Sequence, residues 1–150
     1  MPPLTRAPGS PVRIITFGTF DLFHIGHLRI VERAKALGDE LVVGVSSDAL
    51  NFSKKGSYPV YDQDERMAIV AALRDVDSVF LEESLELKRE YVQAHAADIL
   101  VMGDDWRGKF DALSDVCQVH YLERTPNIST TLVKAEIFHA VKHGSATDGG

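Results

Sequence analysis

VRIITFGTFDLFHIGHLRIVERAKALG, residues 12–38, is the stretch of the sequence that decides the fold. Val12–Phe17 is a run of β-branched and aromatic residues that ends at Gly18, which predicts a strand. His27–Leu37 places apolar residues on one helical face and is followed by Gly38, so we expect a helix that stops there. The stretch therefore predicts a buried strand followed by a helix.

The rest of the chain continues this alternation. Leu41–Val45 is a continuous apolar run, as in a parallel strand that is covered on both faces. Further strands are predicted at Val79–Leu81, Ile99–Met102 and Val119–Leu122, and further helices at Asp62–Arg74, Leu85–Ala96 and Thr130–His143. This order predicts an α/β fold, a single Rossmann-like domain with a central parallel five-stranded sheet flanked by helices.

Length and composition set the limits of the domain. The chain has 150 residues, and residues 12–143 carry the strand and helix patterns. Residues 1–11 and 144–150 are rich in proline, glycine and small residues with little to bury, so we expect two disordered tails. No repeat and no break in composition indicates a second domain.

Several classes of protein are excluded by charge and cysteine content. The net charge of −6 argues against a partner such as nucleic acid or an anionic membrane. Cys117 is the one cysteine, so an internal disulfide cannot form. No apolar run approaches the roughly 18–20 residues of a membrane span, and residues 1–11 have no signal-peptide core. We expect a soluble, cytoplasmic protein.

The segment Gly18–His27 carries the first chemical signal. It joins the predicted strand to the predicted helix, where free backbone N–H groups and the helix dipole favour an anion. His24 and His27 flank Gly26, which lets the backbone approach a phosphate while two imidazoles point at it. A lone histidine is more often a cap or a satisfied core residue, but this HxGH spacing favours phosphate binding. A zinc site is weakly supported, because no cysteine or third ligand is near.

Two further segments follow predicted strands, where ligands bind in parallel sheets. Met102–Asp111 (MGDDWRGKFD) places two acidic residues before the single tryptophan. Its carboxylates suit a ribose hydroxyl, a base amine or Mg²⁺, and the alternative is a polar loop anchored by Trp106. Arg124–Thr131 (RTPNISTT) places an arginine and hydroxyls at a helix N-terminus. Alone it is an ordinary N-cap, but with the HxGH segment it gives a triphosphate two helix ends to bind.

Basic residues supply further anion-binding candidates. Lys54 and Lys55 are expected in a loop after the second strand. Arg66 is predicted in the first turn of a helix, where its charge opposes the dipole. That position indicates a bound anion or an acidic neighbour, although a solvated arginine is at least as common. Lys88 and Arg89 are more ambiguous, because helix surfaces are normally charged.

The three segments together resemble a known family. GTFDLFHIGHL is similar to the HxGH motif of the nucleotidyltransferase superfamily. ERAKALGDELVVGVS, MGDDWRGKFD and RTPNISTT narrow the resemblance to the glycerol-3-phosphate cytidylyltransferases, from about Val12 to Ile137. The resemblance implies transfer of CMP from CTP to sn-glycerol 3-phosphate by in-line attack, giving CDP-glycerol and pyrophosphate. It also implies a homodimer and Mg²⁺ bound mainly through the triphosphate.

The resemblance also implies roles for individual residues. The catalytic residues it implies are His24, His27 and Arg124. The implied nucleotide-binding residues are Thr19, Phe20, His24, Ile25, Gly26, His27, Asp105, Trp106, Arg124, Thr125, Ile128, Ser129, Thr130 and Thr131. Lys54 and Lys88 match lysines that contact the acceptor phosphate, and Arg66 is a further candidate for the substrate site.

The sequence departs from the family pattern at two places. Asn127 stands where the motif usually has glycine, and after Pro126 it is expected to adopt a positive φ. The segment Lys54–Tyr61 is one residue longer than in the family.

Two other functions are left open by the sequence. They are a related transferase that uses ATP or another polyol or sugar phosphate, and a catalytically silent nucleotide-binding protein. The silent protein would be expected to lack the HxGH histidines, and both are present.

Overall fold

The computed structural model describes residues 9–123 and 128–144. Its centre is a parallel five-stranded sheet with the strand order β3-β2-β1-β4-β5. The strands are β1 (Arg13–Gly18), β2 (Glu40–Ser46), β3 (Ser78–Glu82), β4 (Ile99–Gly103) and β5 (Gln118–Leu122). The predicted α/β class and the five-stranded parallel sheet are confirmed.

Five α-helices surround the sheet within the described residues. They are α1 (Ile25–Lys35), α2 (Asp48–Lys55), α3 (Gln63–Ala71), α4 (Lys88–Ala94) and α5 (Thr130–Gly144). The predicted helix at Leu85–Ala96 is divided into a 3₁₀ turn, Leu85–Leu87, and the shorter α4.

One helix, α2, was not predicted. Lys54 and Lys55 were expected in a loop, but they form the last turn of α2. The Ser47 side chain caps the start of this helix, and Gly56 ends it in the left-handed conformation at φ 75°. The helix is only eight residues long, and its buried residues are Leu50 and Asn51. Its place after β2 directs both lysines toward the carboxyl edge of the sheet.

The core lies on both faces of the sheet, because the inner strands alternate their side chains between two apolar clusters. Ile14 belongs to the cluster that includes Val31 of α1 and Val70 of α3. Ile15 belongs to the opposite cluster, which includes Val92 of α4. Within residues 9–123 and 128–144, no helix is long and apolar enough to span a membrane.

The order of the strands places the functional edge of the sheet. β2 and β3 are added on one side of β1, and then the chain returns to add β4 and β5 on the other side. The crevice beyond the carboxyl ends of β1 and β4 is therefore a topological switch point, where ligands bind in open α/β sheets.

Candidate functional site

Two adjoining cavities open at this edge of the sheet. One, of about 390 Å³, is named here the histidine cavity; it is lined by Thr16, Phe17, Gly18, Thr19, Phe20, His24, Gly26, His27, Ile30, Lys55, Gly103, Asp105, Ile128, Ser129, Thr130 and Thr131. The other, of about 450 Å³, is the lysine cavity; it is lined by Phe17, Gly18, Thr19, Ser46, Lys54, Lys55, Glu82, Leu85, Lys88, Met102, Asp105 and Trp106. The two cavities share a wall formed by Phe17, Gly18, Thr19, Lys55 and Asp105.

The HxGH histidines are fixed by the first turn of α1. His24 is the N-cap residue, and its Nδ1 accepts a hydrogen bond from the Gly26 amide at 3.0 Å. His27 Nδ1 accepts from the His24 amide at 3.2 Å. Since each Nδ1 accepts a hydrogen bond from a backbone N–H group, the proton of each neutral ring lies on Nε2. The bonds that cap the helix therefore leave both rings with an Nε2–H donor.

The charge state of the two rings follows from their environment. Their centroids are 3.8 Å apart and the rings are stacked. Burial lowers the pKa of His27 to about 3, assisted by His24 and opposed by Asp21. Burial also lowers the pKa of His24. In the free protein at neutral pH, the pair therefore supplies two neutral N–H donors rather than two cations.

The N-terminus of α5 closes the histidine cavity from the other side. Thr130 Oγ1 donates to the Asp21 carbonyl at 3.0 Å and lies 3.4 Å from His24 Nε2. Ser129 Oγ accepts from the Leu132 amide and caps the helix. The structure thus brings the starts of α1 and α5 together, as an extended anion requires. The predicted site residues Arg124 and Thr125, and the predicted turn at Asn127, lie outside the described residues.

The loop between β1 and α1 is held in an uncommon conformation. Phe20 and Leu22 have φ values of 58° and 48°, in the left-handed region that bulky residues seldom adopt. Buried Asp21 fixes the loop, because its carboxylate accepts from the Val60 and Tyr61 amides at 2.7 and 2.9 Å. Phe20 is also buried, and its ring contacts that of His27. The loop is anchored on both sides of the point where it lines the cavity.

Arg66 does not have the predicted position at the substrate. Its side chain is fully buried, and its guanidinium donates to the carbonyls of Tyr61, Thr19 and Ser46. It also forms an ion pair with Asp48 at 2.7 Å. The acidic neighbour inferred from its helix position is present. Arg66 therefore acts from behind the site and joins the ends of β1 and β2 to the segment before α3.

The lysine cavity is lined by lysines and by a buried carboxylate. The sequence patterns did not indicate this carboxylate. Lys54 and Lys88 line the cavity, together with Lys55, which also lines the histidine cavity. The carboxylate is Glu82, which bonds Lys88 Nζ at 2.5 Å. Burial lowers the pKa of Lys88 and of Lys54, and Glu82 opposes both shifts. The predicted contact of Lys88 with an acceptor phosphate stays a prediction; its charge is already paired.

The acidic segment after β4 forms a 3₁₀ turn at Asp104–Trp106. Asp105 lies on the wall between the cavities. Trp106 lines the lysine cavity but not the histidine cavity, and its ring packs on Phe110. The sequence placed both residues in one nucleotide pocket. Ile25, another predicted nucleotide-binding residue, is exposed in the first turn of α1 and lines neither cavity.

Two histidines at the start of α1 lie opposite the start of α5, beside a lysine-lined cavity at the switch point of the parallel sheet. This arrangement is that of a nucleotidyltransferase site. The model of the cytidylyltransferase-like family matches residues 15–136. A crystal structure of the lipopolysaccharide core biosynthesis protein from Thermoplasma volcanium has a similar fold, with a TM-score of 0.67 and 27% identity. The match covers 77% of this chain and 99% of that one.

Individual relatives identify the group within this family to which the chain belongs. A glycerol-3-phosphate cytidylyltransferase of Bacillus subtilis is 50% identical over 83% of this chain and 96% of its own length. That of Staphylococcus aureus is 44% identical over 84% and 95%. An FAD synthase of Thermococcus sibiricus is 36% identical over 69% and 70%. The chain belongs to the cytidylyltransferase-like family and, within it, to the glycerol-3-phosphate cytidylyltransferases.

Replacing Arg66 tests its structural assignment. Arg66→Met leaves buried carbonyl groups without a donor, so the free energy of unfolding should fall by about 3 kcal/mol. Urea denaturation measures the change, and Arg74→Met, at an exposed arginine of the same segment, serves as control. Equal losses in the two variants would contradict the assignment.

The ionisation of His27 can be measured by ¹⁵N NMR of the free protein. We expect the Nε2–H tautomer to persist down to about pH 4, because the ring is buried and bonded at Nδ1. A histidine in the unfolded chain binds its proton at about pH 6.5. The free energy of unfolding therefore falls as the pH is lowered from there toward 3. A titration midpoint above about pH 5.5, or an Nδ1–H tautomer, would contradict the site geometry.

Proposed function

We propose that this protein is an enzyme that transfers CMP from CTP to sn-glycerol 3-phosphate. An oxygen of the acceptor phosphate attacks the α-phosphorus of CTP and forms the new P–O bond. The bond between the α-phosphorus and its bridging oxygen breaks, and pyrophosphate leaves with that electron pair. The products are CDP-glycerol and pyrophosphate.

The observation that carries this proposal is the wall between the two cavities. A reaction between two phosphate groups needs two anion sites close enough for the groups to meet. The histidine cavity offers N–H donors and two helix starts for a triphosphate, and the lysine cavity offers cations for a phosphate monoester. Lys55 lines both cavities, so its charge lies where the two anions come together. Positioning and charge neutralisation are the main sources of rate in phosphoryl transfer.

The histidines act as donors in this reaction. Charge shifts onto the oxygens of the α-phosphate as it is transferred, and a preorganised N–H group stabilises that charge. Both Nε2–H groups are suitable because the Nδ1 atoms are occupied by the backbone. A phosphate monoester has a second pKa of about 6, so the acceptor is already nucleophilic at neutral pH and needs no general base.

Arg124 and Thr125 are proposed to complete the nucleotide site, by the family resemblance of their segment. Mg²⁺ is proposed as the ion that neutralises the triphosphate. Asp105 is the carboxylate that lines the histidine cavity, and one carboxylate with substrate phosphates is a common Mg²⁺ environment. Among the described residues no group of three or more His, Cys, Asp or Glu side chains forms a metal site by itself. We therefore assign the ion mainly to the nucleotide.

A homodimer in the cytoplasm is the proposed working state. Several large apolar side chains of α5 are exposed, as expected for a surface that a second copy covers; they are Leu132, Ile137, Phe138 and Val141. Sedimentation of the purified protein at micromolar concentration tests the dimer, and a monomer under these conditions would remove it.

The substrate assignment is tested by measuring pyrophosphate release with CTP or ATP and a series of polyol phosphates. We expect activity with CTP and glycerol 3-phosphate, and at least about 10-fold less with ATP, because an unmatched base leaves buried polar groups unpaired. Equal rates with ATP would favour the adenylyl-transferring alternative. Nucleotide binding without turnover for every acceptor would favour the silent alternative.

The role of His24 can be separated from its role as a helix cap. His24→Asn keeps an N-cap acceptor, which asparagine provides well, but removes the Nε2–H donor. We expect normal stability and a turnover reduced by about 10²–10³. His27→Ala should show a similar loss of turnover. Wild-type turnover in a folded His24→Asn enzyme would show that capping is the whole role of this residue.

A further inference from the structure

Thr19 lies where three cavities meet at the carboxyl edge of the sheet. It lines the histidine cavity, the lysine cavity and a third cavity of about 50 Å³, to which Asn51 also contributes. Lys55 is the other residue that lines all three of these cavities. A hydroxyl group and an ammonium group therefore share the place where the two phosphates of the proposed reaction come together.

The side chain of Asn51 is held in one orientation. Asn51 lies in α2 and is 1% exposed. Its Nδ2 donates to the carbonyl of Ser47 at 2.9 Å and to that of Ser46 at 3.4 Å. Turning the amide over would place Oδ1 against both carbonyl oxygens, so these two bonds assign the positions of Nδ2 and Oδ1. Asn51 Oδ1 is left as the atom that faces Thr19, at 2.7 Å from Oγ1.

The fixed amide decides where the proton of the Thr19 hydroxyl lies. An amide oxygen can only accept, so the hydroxyl donates its one proton to Asn51. The lone pairs of Thr19 Oγ1 stay available for other contacts. A phosphate oxygen would meet these lone pairs and no donor, because the proton is already bonded. The hydroxyl is therefore suited to accept a hydrogen bond in the cavities and unsuited to donate one to a nucleotide.

Lys55 is a donor that can reach this oxygen. It follows Asn51 by four residues in α2, so the two side chains lie on the same face of the helix. The Lys55 side chain is exposed, and a free lysine has about 2 kcal/mol of rotamer entropy to lose when it is fixed. A bond to Thr19 Oγ1 would hold its ammonium group at the wall between the cavities.

We propose that Asn51 and Thr19 are positioning residues that together orient Lys55 for the transfer. Asn51 accepts the Thr19 proton, and the Thr19 oxygen then accepts a hydrogen bond from Lys55 Nζ. Two N–H groups of the ammonium are left for the phosphates. The transfer step that this arrangement serves rests on the proposed function. The Thr19 hydroxyl then contributes to nucleotide affinity through Lys55 and makes no bond of its own to the nucleotide.

The test is a double-mutant cycle on the affinity for α,β-methylene-CTP, measured by calorimetry without an acceptor. Lys55→Met should weaken binding at least about 10-fold, because a charged donor to the triphosphate is lost. Thr19→Val should weaken binding about 5-fold in the wild-type protein but less than about 2-fold in the Lys55→Met protein, because its effect passes through Lys55. Thr19→Ser keeps the hydroxyl and should restore wild-type affinity.

Asn51→Ala tests the first bond of the arrangement. It should weaken binding about as much as Thr19→Val, because the hydroxyl is no longer oriented. Ser53→Ala, at an exposed position of the same helix, is the control and should leave the affinity unchanged. Asn51→Ala also leaves two carbonyls without a donor, so its thermal unfolding is measured as well. If this variant does not fold, the cycle of Thr19 and Lys55 decides the question.

The proposal is overturned if Thr19→Val weakens binding by the same factor with and without Lys55. That is the result of a hydroxyl bonded directly to the nucleotide, or of a purely structural loss. Wild-type affinity in Thr19→Val, or in a folded Asn51→Ala protein, would also overturn it. Since the cycle measures binding, it is independent of turnover. Coupled losses without pyrophosphate release from CTP and glycerol 3-phosphate would overturn the proposed function alone, and a wild-type protein that does not bind the analogue would overturn both.

Discussion

The buried guanidinium of Arg66 is the constraint on which the site depends. It joins the carbonyl of Thr19, just beyond β1, to that of Ser46 at the end of β2. A third bond, to the Tyr61 carbonyl, adds the segment whose amide groups hold Asp21. The ends of two neighbouring strands and the loop to α1 are therefore fixed relative to one another. The wall between the two cavities lies at these strand ends.

The two histidines show how one set of bonds serves both fold and chemistry. Each Nδ1 accepts a hydrogen bond from a backbone N–H group and thereby completes the start of α1. The same bonds set the tautomer, so that each ring carries its N–H donor at Nε2, that of His24 lying 3.4 Å from Thr130 Oγ1. Burial keeps the free rings neutral, and the positive charge of the site then comes from lysines and helix N-termini. Although the chain has a net charge of −6, Lys54, Lys55 and Lys88 give the lysine cavity a local cluster of cations.

Sequence patterns predicted most of the fold, and the exceptions have identifiable causes. The helix α1 was expected from His27, where the apolar period begins, but it starts at Ile25 because His24 caps it. Histidine is not among the usual capping residues, so the pattern gave no sign of this start. The helix α2 was missed because it is only eight residues long and Leu50 is its one buried apolar residue, although its cap Ser47 and the final Gly56 were available as signals.

The site was predicted less completely than the fold, because side-chain partners depend on the tertiary structure. An arginine in the first turn of a helix indicates an acidic neighbour or a bound anion, and only the structure distinguishes these for Arg66. Glu82 is the last residue of an apolar strand and the first of two adjacent glutamates. Nothing in this local sequence shows that it forms an ion pair with Lys88. Glu82 is the last residue of β3, so the sheet topology brings it to the same edge as the ends of the other strands.

The proposed reaction is one direct displacement between two adjoining sites. Two observations oppose a covalent intermediate on the best nucleophiles near the sheet. The hydrogen bonds at both Nδ1 atoms assign the protons of His24 and His27 to Nε2, and burial raises the pKa of Cys117 to about 11. The configuration at the α-phosphorus decides the matter. With a single diastereomer of CTP carrying sulfur on the α-phosphate, a direct displacement gives CDP-glycerol of inverted configuration at that phosphorus. Retention of configuration would require two displacements and would contradict it.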